Sequence, residues 1–226
     1  MTDHPLLKGI GQARASGASW VRVAYSIACR DPWDLVHVLS AQRTRVMAWS
    51  APSSTPSQSA FIAVGATIEL RPAGTERFNE AGVWWSEMGS QITDLDGQTG
   101  ELIDIQAPAC LAGFAFAHSP SRSLQWEQWG DGALCVPEIL IWRSGESTQL
   151  VLCTQIDEHT VDVLQERQAT VQAWLQQVRP CPQPSSANLQ VIGTSDTAWD
   201  GWRDKVQAAC TEMATGTMDK VVLARA

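Results

Sequence analysis

Ala133-Leu134-Cys135-Val136-Pro137-Glu138-Ile139-Leu140-Ile141-Trp142-Arg143-Ser144-Gly145-Glu146-Ser147-Thr148-Gln149-Leu150-Val151-Leu152-Cys153-Thr154-Gln155-Ile156 decides the fold class. Two apolar, β-prone runs, Ala133 to Arg143 and Thr148 to Ile156, flank Ser144-Gly145-Glu146, a turn signal, so the stretch predicts a β-hairpin. Upstream, further strands are expected at Trp20 to Ala28, Arg45 to Trp49, Ala60 to Leu70 and Cys110 to Ala117. Between them, Asp31-Pro32 reads as an N-cap and first helical residue, with Leu35, Val38 and Leu39 as the apolar face behind it. Thr75 to Ile92 is expected to be helical, with Phe78, Ala81, Trp85 and Met88 on one side. Ser50 to Ser59 and the acidic Thr93 to Ala107 read as loops. Downstream, Leu164, Val171, Leu175 and Val178 mark a long helix from Thr160 to Val178. Strands joined by short turns and mixed with helices predict an α+β fold with a mainly antiparallel sheet and packed helices.

The helix runs into Arg179-Pro180-Cys181-Pro182-Gln183-Pro184-Ser185-Ser186, which reads as a linker over 180–187 and is the single candidate boundary. Residues 1–179 form the α+β part before it, and 188–226 the region after it. That region begins with a strand, Leu189 to Ile192. A helix follows, with Ser195 or Asp196 as its cap and Trp199, Trp202, Val206, Ala209 and Met213 on one face. Gly216 is its expected stop, and a strand from Asp219 to Arg225 comes last.

Composition narrows the function classes. The 226 residues are 44% hydrophobic and 18% charged, which suits a globular core, and the net charge is −8. An acidic chain without a Lys/Arg cluster is a poor partner for nucleic acid or an anionic membrane surface. The polar N-terminus lacks the pattern of a signal peptide, and no apolar run approaches the length of a membrane span. Six scattered cysteines with no CxxC pair fit reduced, mostly buried thiols in a cytoplasmic protein rather than a zinc site. Most of the eleven tryptophans fall in apolar patterns that read as core.

Few residues suggest chemistry. Gly9-Ile10-Gly11 resembles the opening of a dinucleotide loop, but no strand precedes it and the third glycine is misplaced. The four histidines are dispersed, without metal-ligand spacing, and read as surface or packing residues. No serine sits in a GxSxG setting. Lys220 stands out. In an extended strand it shares a face with Val222 and Ala224, and at the head of an apolar strand it can reach a cavity. Desolvation there would lower its pKa and make it a general base. Without that cavity it ends the strand in water.

Lys220-Val221-Val222-Leu223-Ala224-Arg225, after a helix with tryptophan near its start and a glycine-containing turn, resembles the signature of isochorismate synthases, members of the chorismate-binding enzymes. Gly113-Phe114-Ala115-Phe116 is similar to the family's buried GFxF strand. Trp129-Gly130-Asp131-Gly132-Ala133 with Val136-Pro137-Glu138 is similar to the strand and proline before its hairpin. The resemblance runs from about Ala60 onward and implies the chorismate-binding fold, with 188–226 the start of its catalytic region. It implies an enzyme that adds water at C2 of chorismate and expels the C4 hydroxyl with Mg²⁺, for quinone or siderophore synthesis. Lys220 matches the base acting on the water. Anthranilate and aminodeoxychorismate synthases typically carry glutamine there, so lysine points to the isochorismate or salicylate branch. The family's second half carries the general acid and the Mg²⁺ ligands. Neither can be assigned within these 226 residues, so the chain is expected to be an N-terminal portion, inactive alone. A salicylate synthase of the same family, or a non-catalytic module with the same N-terminal fold, is the alternative.

Overall fold

A computed structural model describes residues 4–29, 31–40, 45–51, 59–115, 130–178 and 199–216. The chain divides into two compact units, Met1–Cys181 and Pro182–Ala226. The first carries α1 (Pro5–Ala15), β1 (Trp20–Ser26), a 3₁₀ turn (Pro32–Leu35) running into α2 (Val36–Ser40), β2 (Val46–Ser50), β3 (Ala60–Val64), β4 (Ile68–Leu70), α3 (Arg77–Gly89), β5 (Ile92–Asp96), β6 (Leu111–Phe114), β7 (Gly132–Val136), β8 (Ile139–Ser144), β9 (Ser147–Gln155) and α4 (Thr160–Gln177). The second carries α5 (Trp199–Ala214). The expected linker 180–187, the strands at 189–192 and 219–225, and the cap residues Ser195 and Asp196 lie outside the described residues.

The strands form a six-stranded sheet, ordered β2-β3-β8-β9-β1-β5, and a three-stranded sheet, ordered β4-β7-β6. The β1–β5 pairing is parallel and the other described pairings are antiparallel. The fold is therefore α+β with a mainly antiparallel sheet. The hairpin expected around Ser144-Gly145-Glu146 is present as β8–β9, with Ser144 opposite Ser147 and Gly145 at φ 61°.

Two predicted strands each prove to be two. Ala60 to Leu70 splits into β3 and β4, and Ala133 to Arg143 splits into β7 and β8. Both breaks fall at the same level, because β3 pairs with β8 in the large sheet and β4 with β7 in the small one. Pro137 cannot donate to a ladder, and Gly65 takes the left-handed region at φ +68°. A Cβ on Gly65 would lie 2.7 Å from Cδ of Glu138, so the two breaks interlock. Thr67 N donates to the Val136 carbonyl at 2.8 Å and restarts pairing in the second sheet.

The acidic stretch after α3 is a second correction. Ile92, expected to end the helix, and Thr93 to Asp96, expected to be loop, form a strand held parallel to β1 from Trp20–Ile92 to Ala24–Asp96. Helix α3 is shorter than expected, and its expected face holds at Ala81, buried, and at Trp85 and Met88, half-buried, but not at Phe78. Arg77 and Ala81 are its buried residues, and Phe78 is 56% exposed. The tryptophans are less buried than expected. Trp174 is core, Trp33 and Trp49 are 41% and 49% exposed, and the other described tryptophan side chains are half-buried.

Helix α1 was not expected. Its N-cap is His4, whose Nδ1 accepts from Leu6 N at 3.3 Å. Gly9 lies inside it, facing the turn after β5. A Cβ there would overlap the Gly100 carbonyl oxygen, and one on Gly100 would overlap that of Pro5. Gly9 thus permits close backbone packing, and no phosphate loop exists at Gly9-Ile10-Gly11.

The large sheet is apolar on both faces, as the unbroken runs Ile139-Leu140-Ile141 and Leu150-Val151-Leu152-Cys153 require. Alternate residues Val21, Val23, Ile62, Ile139, Ile141, Leu150 and Leu152 join one core cluster with Leu6 and Ile10 of α1, Leu35, Leu39, and Leu164, Val171 and Trp174 of α4. The intervening Ala24, Ala63, Leu140 and Val151 join a smaller cluster under Ile105 and Ala107.

Candidate functional site

Lys220 lies outside the described residues. The described approach to it is α5, whose Trp202, Ala209 and Met213 are half-buried while Val206 is 37% exposed. The helix stops as the sequence predicts. Gly216 adopts φ 75°, its N–H donates to the Met213 carbonyl at 3.1 Å, and Thr215 N donates to Thr211 O at 3.2 Å. Lys220 follows four residues later.

The first unit buries several charged groups that the sequence does not single out. Arg22, on β1, forks onto Asp94, on β5, through Nε–Oδ1 at 2.8 Å and Nη2–Oδ2 at 2.6 Å. Its Nη1 and Nη2 also donate to the carbonyls of Ala107 (3.2 Å) and Ile105 (3.4 Å), and Asp94 Oδ2 accepts from Ile105 N at 3.1 Å. Such a saturated pair braces β1, β5 and the segment covering the smaller core cluster; it is not poised to receive a ligand. The signal was present in part: Arg22 interrupts an apolar strand between Val21 and Val23. Its partner was hidden in a stretch read as loop.

A second buried arginine, Arg77, donates to the Gly74 (2.9 Å) and Ala115 (3.3 Å) carbonyls and lies 4.4 Å over the Phe78 ring. Asp131 Oδ2 accepts from Gly74 N at 2.7 Å, so the loop before α3 is tied to the start of β7. Arg167 of α4 donates to the Cys153 carbonyl and reaches Glu138 at 3.4 Å, beside the break between the sheets. Asp96 accepts from Gln98 N (2.9 Å) and Thr99 N (2.8 Å). The Thr99 amide, the largest influence, together with the Gln98 amide and Thr99 hydroxyl, holds its carboxyl below the ordinary range against the opposing effect of burial.

The described cysteines are free thiols, but fewer are buried than expected. Cys135 and Cys153 are buried, Cys29 and Cys110 half-buried, and Cys210 exposed. Burial raises the Cys153 thiol to about 12 and the Cys110 thiol to about 11, which suits packing rather than nucleophilic attack. His4 caps a helix and His159 is exposed beside Glu158. Among the described residues, no three His, Cys, Asp or Glu side chains gather as a metal site. Asp94 and Asp96, both in the acidic stretch, are already engaged by protein donors. Among these residues, no helix is long and apolar enough to cross a membrane.

Residues 7–226 match the family model for chorismate-binding enzymes, which is nearly the whole chain. The chain belongs to the chorismate-binding enzyme family. Within that family it is 28% identical over 224 residues to the salicylate biosynthesis isochorismate synthase of Pseudomonas aeruginosa, spanning 96% of this chain and 44% of that protein. It is also similar to the solved menaquinone-specific isochorismate synthase of Escherichia coli, at 14% identity and a TM-score of 0.43, over 96% of this chain and 43% of that one. This chorismate-binding enzyme chain thus spans less than half the length of each of these relatives.

Proposed function

We propose that this chain is the N-terminal portion of a cytoplasmic isochorismate synthase. In the reading we favour, the complete protein converts chorismate to isochorismate. An oxygen–C2 bond forms from water, the ring double bonds shift, and the C4–oxygen bond breaks with loss of the hydroxyl. The observation that carries this reading is the joint occurrence of the family match through residue 226 and the lysine-headed sequence motif Lys220 to Arg225. Water is a weak nucleophile, so the step needs a base as the new bond forms. A glutamine at position 220 could not take that proton at neutral pH; a desolvated lysine can. In this reading Mg²⁺ would be held by residues beyond those described.

The test uses a protein that extends this chain by the family's remaining half, assayed with chorismate and Mg²⁺ by chromatography. Lys220→Gln is expected to lower kcat by at least about 10²-fold, with an unchanged circular dichroism spectrum and chorismate affinity within a few fold. A near-normal kcat would remove Lys220 from the mechanism. Pyruvate and salicylate as the products of the unaltered enzyme would replace this reading with a salicylate synthase.

A further inference from the structure

A cleft of about 280 Å³ opens where β1 ends, between α4, the first residues of α1 and the turn after β5. We propose that it is a binding site for a small uncharged aromatic compound with a hydrogen-bonding edge, such as an aromatic amide.

Three features of the lining select that chemistry. Its floor is apolar, with Leu150 and Val171 buried and Leu175 half-buried. Its walls carry Tyr25, Ser26, Gln168 and Gln172, whose side chains make no hydrogen bond to another described residue. Gln168 and Gln172 stand one turn apart on α4 and so share a face. Two amides and two hydroxyls offer both donors and acceptors. Finally, among the described residues no Asp, Glu, Lys or Arg lines the cleft, and the one histidine there, His4, already accepts from Leu6 N through Nδ1 as the cap of α1. A charged ligand would give up hydration for no full counter-charge among the described residues, with only the capped N-terminus of α1 nearby. A dicarboxylate such as chorismate therefore finds no partner here, whereas a neutral ring with a polar edge meets both kinds of surface.

The site is also pre-shaped. The Tyr25 ring is packed against Gly97, where an added Cβ would come within 2.6 Å of the ring's Cζ. Gly97 N is bound to the Ala24 carbonyl at 2.8 Å, and the next turn is pinned by Asp96. The aromatic wall is thus set by backbone and strand pairing, so little ordering is left for a ligand to impose. Burial, and then the nearby Asp96 charge, raise the Tyr25 pKa, which keeps the phenol protonated as a donor at neutral pH. At the small end of the range for ligand pockets, the volume suits a single ring with one or two substituents.

The experiment titrates benzamide and benzoate separately into the 226-residue protein and follows them by saturation-transfer and amide-shift NMR. Benzamide is expected to bind at about millimolar Kd, as suits a fragment of its size, with shifts at Tyr25, Gly97 and Gln168. Benzoate, the same ring with a charge, should bind at least about tenfold more weakly. Gln168→Leu/Gln172→Leu, which changes two side chains at the cleft wall, should weaken benzamide by about tenfold while leaving the spectrum otherwise native. Should benzoate bind as well as benzamide, the double variant bind it normally, or no binding occur up to about 10 mM, the proposal is overturned.

Discussion

Asp96 holds its turn with a carboxylate that receives two backbone amides and a hydroxyl. Its folded pKa lies below the ordinary value, so its stabilisation is complete above the ordinary carboxylate pKa of about 4 and is lost as pH falls through the lowered folded value. Asp96→Ala is expected to cost about 1 kcal/mol at pH 7, as loss of a cap does. Urea titrations should show that gap narrowing below about pH 4, and a gap unchanged in acid would mean that the ionised carboxylate is not what matters. The thiols make a second prediction at this scale. Iodoacetamide should modify exposed Cys210 well before buried Cys153, whose thiolate is suppressed by burial, as peptide mass analysis would read directly. Neither fact is local. Cys153 and Cys210 differ through what packs around them, and Lys220 could be singled out only by its motif, since a lone lysine in a strand has a bland reading as well.

At the scale of elements, α1 holds a paired test. Helix propensity alone says that Gly→Ala gains up to about 1 kcal/mol. Gly11 has nothing within 4 Å of an added Cβ, so Gly11→Ala should raise stability by that order. Gly9 in the same helix meets the Gly100 carbonyl oxygen and Leu95 Cδ2 at 3.0 Å, so Gly9→Ala must push α1 off its neighbours. That overpacking costs about 1–3 kcal/mol and should win. Equal shifts in the urea midpoints of both variants would show that α1 is not packed through Gly9. Periodicity found β1, β9 and α4, because each sets an unbroken pattern against the core. It missed the division of β3 from β4 and of β7 from β8, where the apolar pattern runs on through a short break beginning at Gly65 or Pro137 and the partner sheet changes. It also missed β5, whose Asp94 and Asp96 suggest loop until Arg22 and the following turn supply their partners.

For the whole molecule, the Arg22–Asp94 pair joins positions 72 residues apart, with side chains only 6% and 15% exposed. Arg22→Leu would strand Asp94 without a partner and is expected to cost about 3–5 kcal/mol. The double change Arg22→Leu/Asp94→Leu should cost less than that single change, because replacing both buried charges avoids an uncompensated one. Thermal unfolding of the two variants decides this, and a double variant less stable than Arg22→Leu would deny the pair its role. Residues 1–226 alone, given chorismate and Mg²⁺, are expected to make no isochorismate, since one base cannot position both proton transfers. Turnover near 1 s⁻¹ would show that the chain supplies more than Lys220. The sequence by itself determined the mixed class, the β8–β9 hairpin, the α5 stop at Gly216 and the family motif, because propensities, turn residues and motifs act over a few neighbouring residues. Only the tertiary structure decided which sheet each half-strand joined, that Asp94 could enter a strand, and that Gly9 was needed for close approach. Those outcomes depend on partners far away in sequence, whose charge or carbonyl determines whether a buried residue is stable where it stands.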